Sequence, residues 1–171
     1  MFFYDETLKM YETLFCWDEA LSYLEDRYFM TNDIPVLNSL IGFSWYYLFE
    51  GPAVSEQYEN GESRKAPAMW KKYIDIGIQN GVDDAFFYYI AGYTLAMDGY
   101  YLGDGYEETG SKLMYKCTRT SHNPYLKKLA NHFLLNQYTS EYVPLANGKM
   151  ICTRLFTGDS LLEKLFCELY G

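Results

Sequence analysis

The sequence predicts an all-α protein: a short solenoid or bundle of antiparallel helical pairs, with a small β-hairpin near its C-terminus. Three observations carry that prediction. Capping and stop signals alternate along the chain, with apolar residues at helical spacing between them. A glycine-centred helical pattern occurs more than once. The 171 residues are 49% hydrophobic and 22% charged, which is enough to bury a core and excludes disorder, collagen and coiled coil.

The elements follow in chain order. Asp5 can cap a first helix or helix pair over roughly 5–30, on a stripe that includes Leu8, Tyr11, Leu14, Leu21, Leu24 and Tyr28. A break is expected near Cys16–Asp18, with Asp18 capping the second piece. Asn32 and Asp33 open the next helix, and Pro35 sits in its first turn, where a missing N–H costs little. It runs to Glu50 and stops at Gly51-Pro52. A polar loop covers 52–66, and a helix then runs from about Pro67 to Gln79, closed by Asn80-Gly81. Asp83 is expected to cap a helix that reaches Asp98, and a glycine-rich turn fills 99–105. Further helices are predicted from Tyr106 to about Arg119 and from Pro124 to about Tyr138. Asn147-Gly148 between two strand-like runs predicts a hairpin over 141–155, because both turn positions favour positive φ. Ser160 and Glu163 then form a capping box for a last helix over 160–170. One helical domain spanning 1–171 is expected, with a repeat-like core over 33–137.

The repeat appears on placing Gly42 over Gly92, an offset of 50 that aligns Asp33 with Asp83, Leu40 with Ile90 and Phe43 with Tyr93. A third copy at an offset of 39 puts Leu129 on Ile90 and Asn131 on the glycine position. A mid-helix glycine costs about 1 kcal/mol against alanine, so Gly42 and Gly92 point to close approach by a neighbouring helix. The stretch Ala85–Asn123 reads as helix, Gly-rich turn, then a helix beginning Tyr106-Glu-Glu. Trp70, Tyr73, Leu113 and Tyr115 fall at second-helix aromatic positions. This resembles the Sel-like branch of the tetratricopeptide superfamily over roughly 33–137. Gly110 departs from the pattern, which has alanine there. The resemblance implies stacked helical pairs whose first helices line a concave groove, with Phe43, Tyr46, Tyr89, Tyr93 and His132 among its positions; the same rings also suit a core.

Charge is segregated. Residues 1–62 hold twelve acidic and two basic side chains, whereas the remainder carries a net charge of +1. Such a field repels nucleic acid and anionic lipid and attracts a basic protein surface. Two carboxylate clusters stand out: Asp18, Glu19, Glu25 and Asp26, and Glu56, Glu59 and Glu62. Aromatic content is 19%, much of it the 19 tyrosines, whose apolar body and polar tip suit interfaces.

No catalytic pattern emerges. The two histidines, His122 and His132, share no metal spacing with the four scattered cysteines, and no GxSxG, HExxH or P-loop sequence occurs. The Asp98–Glu108 stretch invites a calcium reading and fails as an EF-hand, since Tyr100 and Leu102 stand where oxygen ligands belong and Thr109 where the bidentate Glu belongs. No cofactor or metal is expected, and the thiols should be unbridged. The N-terminal residues lack the features of a signal peptide, and the longest uncharged window, Ile34–Phe49, is too short to span a bilayer. A cytoplasmic protein without membrane contact is therefore expected. These features point to a non-enzymatic, protein-binding inhibitor: an immunity protein or antitoxin that occludes the basic cleft of a nuclease toxin. The alternative is a helical-repeat scaffold or adaptor holding a peptide in its groove. Small size, missing catalytic set, segregated acidity and abundant tyrosine all suit the inhibitor.

Overall fold

The computed structural model describes residues 1–50, 63–139 and 141–170. Among these the protein is all-α, with no strand. Its helices are α1 (Glu6–Thr13), α2 (Trp17–Thr31), α3 (Ile34–Phe49), α4 (Ala66–Gln79), α5 (Ala85–Asp98), α6 (Tyr106–Thr120), α7 (Pro124–Tyr138), α8 (Gly148–Leu155) and α9 (Leu161–Leu169). The chain forms two compact units, Met1–Val82 and Asp83–Gly171.

In the first unit α3 packs against both α2 and α4. Asp5 caps α1 as expected, its Oδ1 accepting the Leu8 N–H at 3.0 Å. The expected break falls at Phe15, whose φ of 55° reverses the chain before α2. Asp18 does not cap α2, because Cys16 holds the cap position. Instead Asp18 accepts from Ser63 Oγ at 2.6 Å and from the Lys65 N–H at 3.2 Å. Ser63 Oγ in turn accepts the Ala66 N–H at 3.1 Å, so Asp18 organises the start of α4 from across the unit. Trp17 stacks on Tyr47 with centroids 4.4 Å apart. The carboxylate of Glu12 is buried here and accepts from the Tyr4 hydroxyl at 2.7 Å.

In the second unit α6 packs between α5 and α7. The helix crossing of α5 and α6 is made by two glycines. A Cβ on Gly92 would lie 2.9 Å from the Met114 backbone nitrogen. One on Gly110 would lie 2.8 Å from the Leu95 carbonyl carbon and nearer still to the Ala96 nitrogen. The residue that departs from the repeat pattern is thus the one with no room for alanine. The cap of α5 is one residue later than expected: Asp84 Oδ1 accepts the Phe87 N–H at 2.7 Å, while Asp83 accepts from the Tyr88 hydroxyl. A 3-10 turn over Gly99–Leu102 precedes the glycine-rich bend into α6. Leu40, Phe87, Ile90 and Leu129 are core residues, each in its own unit.

The predicted hairpin over 141–155 is corrected: its second half is helix α8. Asn147 does take the left-handed conformation expected of it, with φ 61°. Gly148 then begins a helix rather than returning as a strand, and the Ile151 N–H donates to the Asn147 carbonyl at 3.0 Å. Two physical reasons favour helix. Ile151, Cys152 and Leu155 bury one helical face, a period that a strand cannot satisfy. Gly148 also lies directly on the Tyr170 backbone carbonyl, where a Cβ would overlap that oxygen. Ser160 caps α9 as expected, its Oγ accepting the Glu163 N–H at 3.1 Å, while the Glu163 carboxylate accepts from Thr157 Oγ1 at 2.6 Å and from the Gly158 N–H at 3.1 Å in place of the returning half of the box.

Candidate protein-binding surface

Helix α2 carries the candidate site of the first unit. Positions 18, 22 and 26 recur every four residues and so share one face. Asp18, Glu19 and Asp26 line a cleft of about 450 Å3 with Tyr11, Tyr23 and Lys65. Its walls are held in place. Asp18 is fixed by Ser63 and Lys65, as above. The Tyr23 hydroxyl donates to Asp5 Oδ2 at 2.5 Å, and Lys65 Nζ donates to Ser22 Oγ at the same distance. Burial, then the Asp5 carboxylate, raises the Tyr23 pKa, so the phenol stays a neutral donor. Three carboxylates against one ammonium leave the cleft anionic.

Glu25 points elsewhere. It accepts from Lys72 Nζ and from the Tyr73 hydroxyl, both at 2.8 Å. The Lys72 hydrogen bond holds its carboxyl below the usual range against the opposing effect of burial. Its charge is therefore largely answered within the unit, unlike that of Glu19 and Asp26, which face solvent. Beyond Asp26 the helix ends in two exposed apolar residues, Phe29 at 91% and Met30 at 76% exposure. Phe29 also borders a second cleft, of about 570 Å3, with Asp26, Tyr28 and Ile76. Sequence reasoning missed Tyr11, Tyr23, Lys65 and Phe29. The i, i+4 spacing on α2 was the available signal for Tyr23; Lys65 comes from a distant element. Glu56, Glu59 and Glu62 lie outside the described residues.

The aromatic positions expected to line a groove divide between core and cleft. Phe43, Tyr46 and Tyr89 are buried core rings and offer no surface to a partner, a correction to their expected role. Such rings pack because a nearly uncharged helix such as α3 or α5 is apolar on every side. Tyr93 and His132 do come together. With Phe133, Tyr142, Leu169 and Tyr170 they line an apolar cleft of about 310 Å3 in the second unit. His132 Nε2 lies 2.6 Å from the Val143 carbonyl, which can only accept, so Nε2 carries the proton. Asn136 closes the arrangement: its Oδ1 accepts the Val143 N–H at 2.7 Å and its amide nitrogen donates to the Val143 carbonyl at 3.1 Å. The imidazole meets the rings of Tyr142 and Tyr170 edge-on. It is a tied structural group at the floor of a cleft, and among the described residues no serine, threonine or cysteine is in hydrogen-bonding contact with it.

Among the described residues no group of three or more His, Cys, Asp or Glu side chains is placed to hold a metal ion. No helix among them is long and apolar enough to cross a membrane. Compared with protein-family profiles, characterised proteins and solved structures, the chain matches none.

Proposed function

We propose that the protein is a cytoplasmic binding inhibitor, an immunity protein or antitoxin that neutralises a basic nuclease toxin by occluding its cleft. The observation that carries this reading is the α2 surface. Asp18, Glu19 and Asp26 share one cleft with two tyrosines, beside a fully presented phenylalanine. A nuclease offers cations arranged for phosphates, and carboxylates at an interface rim steer such a partner and speed association. Pre-set hydrogen bonds at Asp18 and Tyr23 lower the ordering cost of binding. Phe29 supplies the kind of aromatic anchor on which binding energy concentrates. Neither nucleic acid nor membrane suits a surface of this sign.

The test is kinetic. The partner to try first is the product of the adjacent reading frame, particularly one ending in a basic nuclease-like domain. Reversing Glu19 and Asp26 to lysine should slow association about tenfold or more at low salt and flatten its salt dependence. Phe29→Ala should instead speed dissociation by about tenfold or more. Association unchanged by charge reversal from low to high salt would refute the inhibitor reading.

A second reading is favoured by the apolar cleft at Tyr93 and His132: a tetratricopeptide-like scaffold or adaptor that holds a peptide. The glycine crossing of α5 and α6 supports stacked helical pairs of that kind. On this reading, substitutions at Tyr142 weaken partner capture and those at Glu19 do not.

A further inference from the structure

The apolar cleft of the second unit differs in kind from the anionic cleft on α2. None of the described residues that line it is Asp, Glu, Lys or Arg. A charged ligand would shed its water there and meet no counter-charge, so the cleft selects against ions. Its walls are rings. Tyr93 on α5 and Phe133 on α7 have centroids 5.1 Å apart, and the His132 imidazole meets Tyr142 and Tyr170 edge-on. Met97 and Leu169, which also line it, stay exposed. The part contributed by Tyr142 is held without helix or strand. Asn136 binds both the N–H and the carbonyl of Val143, and Thr139 Oγ1 donates to the Glu141 carbonyl at 3.0 Å. These bonds fix the backbone on either side of Tyr142, yet the residue itself is 67% exposed and contributes little to the core.

The polar groups of the cleft are engaged with one exception. Asn136 serves Val143. The Gln137 amide pairs with Ser111 Oγ, at 3.2 and 3.4 Å. His132 commits its Nε2 proton to the Val143 carbonyl, so Nδ1 carries none and can only accept. Among the described residues the nearest donor to Nδ1 is the Asn136 amide nitrogen, at 3.5 Å and already turned to Val143 at 3.1 Å. His132 is more than nine-tenths buried, so this is a buried acceptor without a good donor, a costly arrangement unless something answers it. Size narrows the choice of what does. An apolar cavity of about 150 Å3 holds benzene, and this cleft, at about 310 Å3, admits a fused pair of rings.

We propose that the cleft binds a small, neutral, planar aromatic molecule of one or two rings that carries a single N–H or O–H donor. The donor meets His132 Nδ1, and the ring packs edge-on or offset against Tyr93, Phe133, Tyr142 and Tyr170. A ring without a donor leaves Nδ1 unanswered, and a charged ring loses its hydration without compensation. The proposal does not rest on the inhibitor reading, whose surface belongs to the first unit. It competes with the peptide reading for the same cleft, because the ligand is a free molecule.

The experiment titrates indole into the full-length protein, followed by ligand-observed saturation-transfer NMR and by the nitrogen shift of His132 Nδ1. Saturable binding is expected with Kd on the order of 0.1 mM, with the Nδ1 resonance moving to that of a hydrogen-bonded acceptor. Benzofuran has the same shape and no N–H, and should bind about fivefold more weakly. His132→Gln keeps a donor for the Val143 carbonyl and removes Nδ1, and should bring indole down to the benzofuran level. Tyr142→Ala, at an exposed position, should leave the helices unchanged and weaken both ligands about threefold or more. Circular dichroism checks the helix content of each variant. Were His132→Gln to unfold, the Nδ1 shift and the benzofuran comparison in the unsubstituted protein still decide. No saturable indole binding, equal affinity for indole and benzofuran, an unmoved Nδ1 resonance, or undiminished binding by Tyr142→Ala would each overturn the proposal. A tryptophan-bearing peptide that binds where free indole does not would overturn it in favour of the peptide reading.

Discussion

Replacing Gly110 with alanine sets two opposed effects against each other at the crossing of α5 and α6. Helix propensity alone favours the change by about 1 kcal/mol. The new Cβ, however, would stand 2.8 Å from both the carbonyl carbon and the Cβ of Leu95, and closer still to the Ala96 nitrogen. Comfortable carbon contacts lie near 3.5–4.0 Å, so the helices must part by roughly 1 Å. No rotamer change relieves a clash with backbone. Overpacking costs about 1–3 kcal/mol, and a clash with backbone belongs to the upper half of that range, about 2–3 kcal/mol, so the net effect should be destabilising by about 1–2 kcal/mol. At Gly92 the new Cβ would meet the Met114 backbone nitrogen and Cγ at 2.9 Å, a shallower overlap than at Gly110, and Gly92→Ala should cost less. The double variant should cost less than the sum, since one separation of the helices relieves both overlaps. Urea unfolding followed by far-ultraviolet circular dichroism would show a midpoint lowered by roughly 0.5–1 M for Gly110→Ala. All three tryptophans, Trp17, Trp45 and Trp70, belong to the first unit, so their fluorescence supplies a separate record of that unit. A Gly110→Ala protein as stable as the parent or more so would refute the close-approach argument.

Three other outcomes are expected. Ile90→Ala removes a fully buried side chain and should cost about 2–5 kcal/mol in the same urea assay. Glu25 has a folded pKa below its ordinary value of 4.5 because Lys72 and Tyr73 hydrogen-bond its charged form. Its contribution is present above about pH 4.5 and is lost as pH falls through the lowered folded value. Glu25→Gln should therefore remove part of the acid limb of a stability–pH curve, by no more than about 1 kcal/mol for so exposed a pair. Burial, and then Asp84, pushes the Cys117 thiol up to about 12. In a timed thiol-reagent assay it should stay unlabelled until urea unfolds the second unit, while Cys16 reacts in the native protein.

Much of this architecture was legible because helix ends are local chemistry. Asp5 and Ser160 cap where side-chain type and the following apolar run say they should. The reversal before α2 was legible for the same reason. The hairpin misread arose because Asn-Gly reports a local φ preference, and Asn147 obeys it, whereas the fate of Gly148 is decided by the distant Tyr170 carbonyl. The one-residue error at Asp83 has a similar source: either aspartate can cap, and the Tyr88 hydroxyl takes the first of them. At the site, Asp18 and Asp26 were legible as members of one carboxylate cluster, and nothing local foretold that Lys72 would answer Glu25. The groove register failed at Phe43, Tyr46 and Tyr89 because uncharged helices carry no marker of which side faces outward. Tyr142 and Tyr170 escaped notice because they lie outside the repeat-like stretch 33–137 from which the groove positions were counted.

Tyr170 concentrates several of these contacts in one residue. Its hydroxyl lies 3.1 Å from that of Tyr89 in the core, its ring faces His132, and its carbonyl covers Gly148. Tyr170→Ala would empty one wall of the His132 cleft and take from the buried Tyr89 hydroxyl its partner at the same stroke, so a single ring ties the packing of α5 to that of α7 within the second unit.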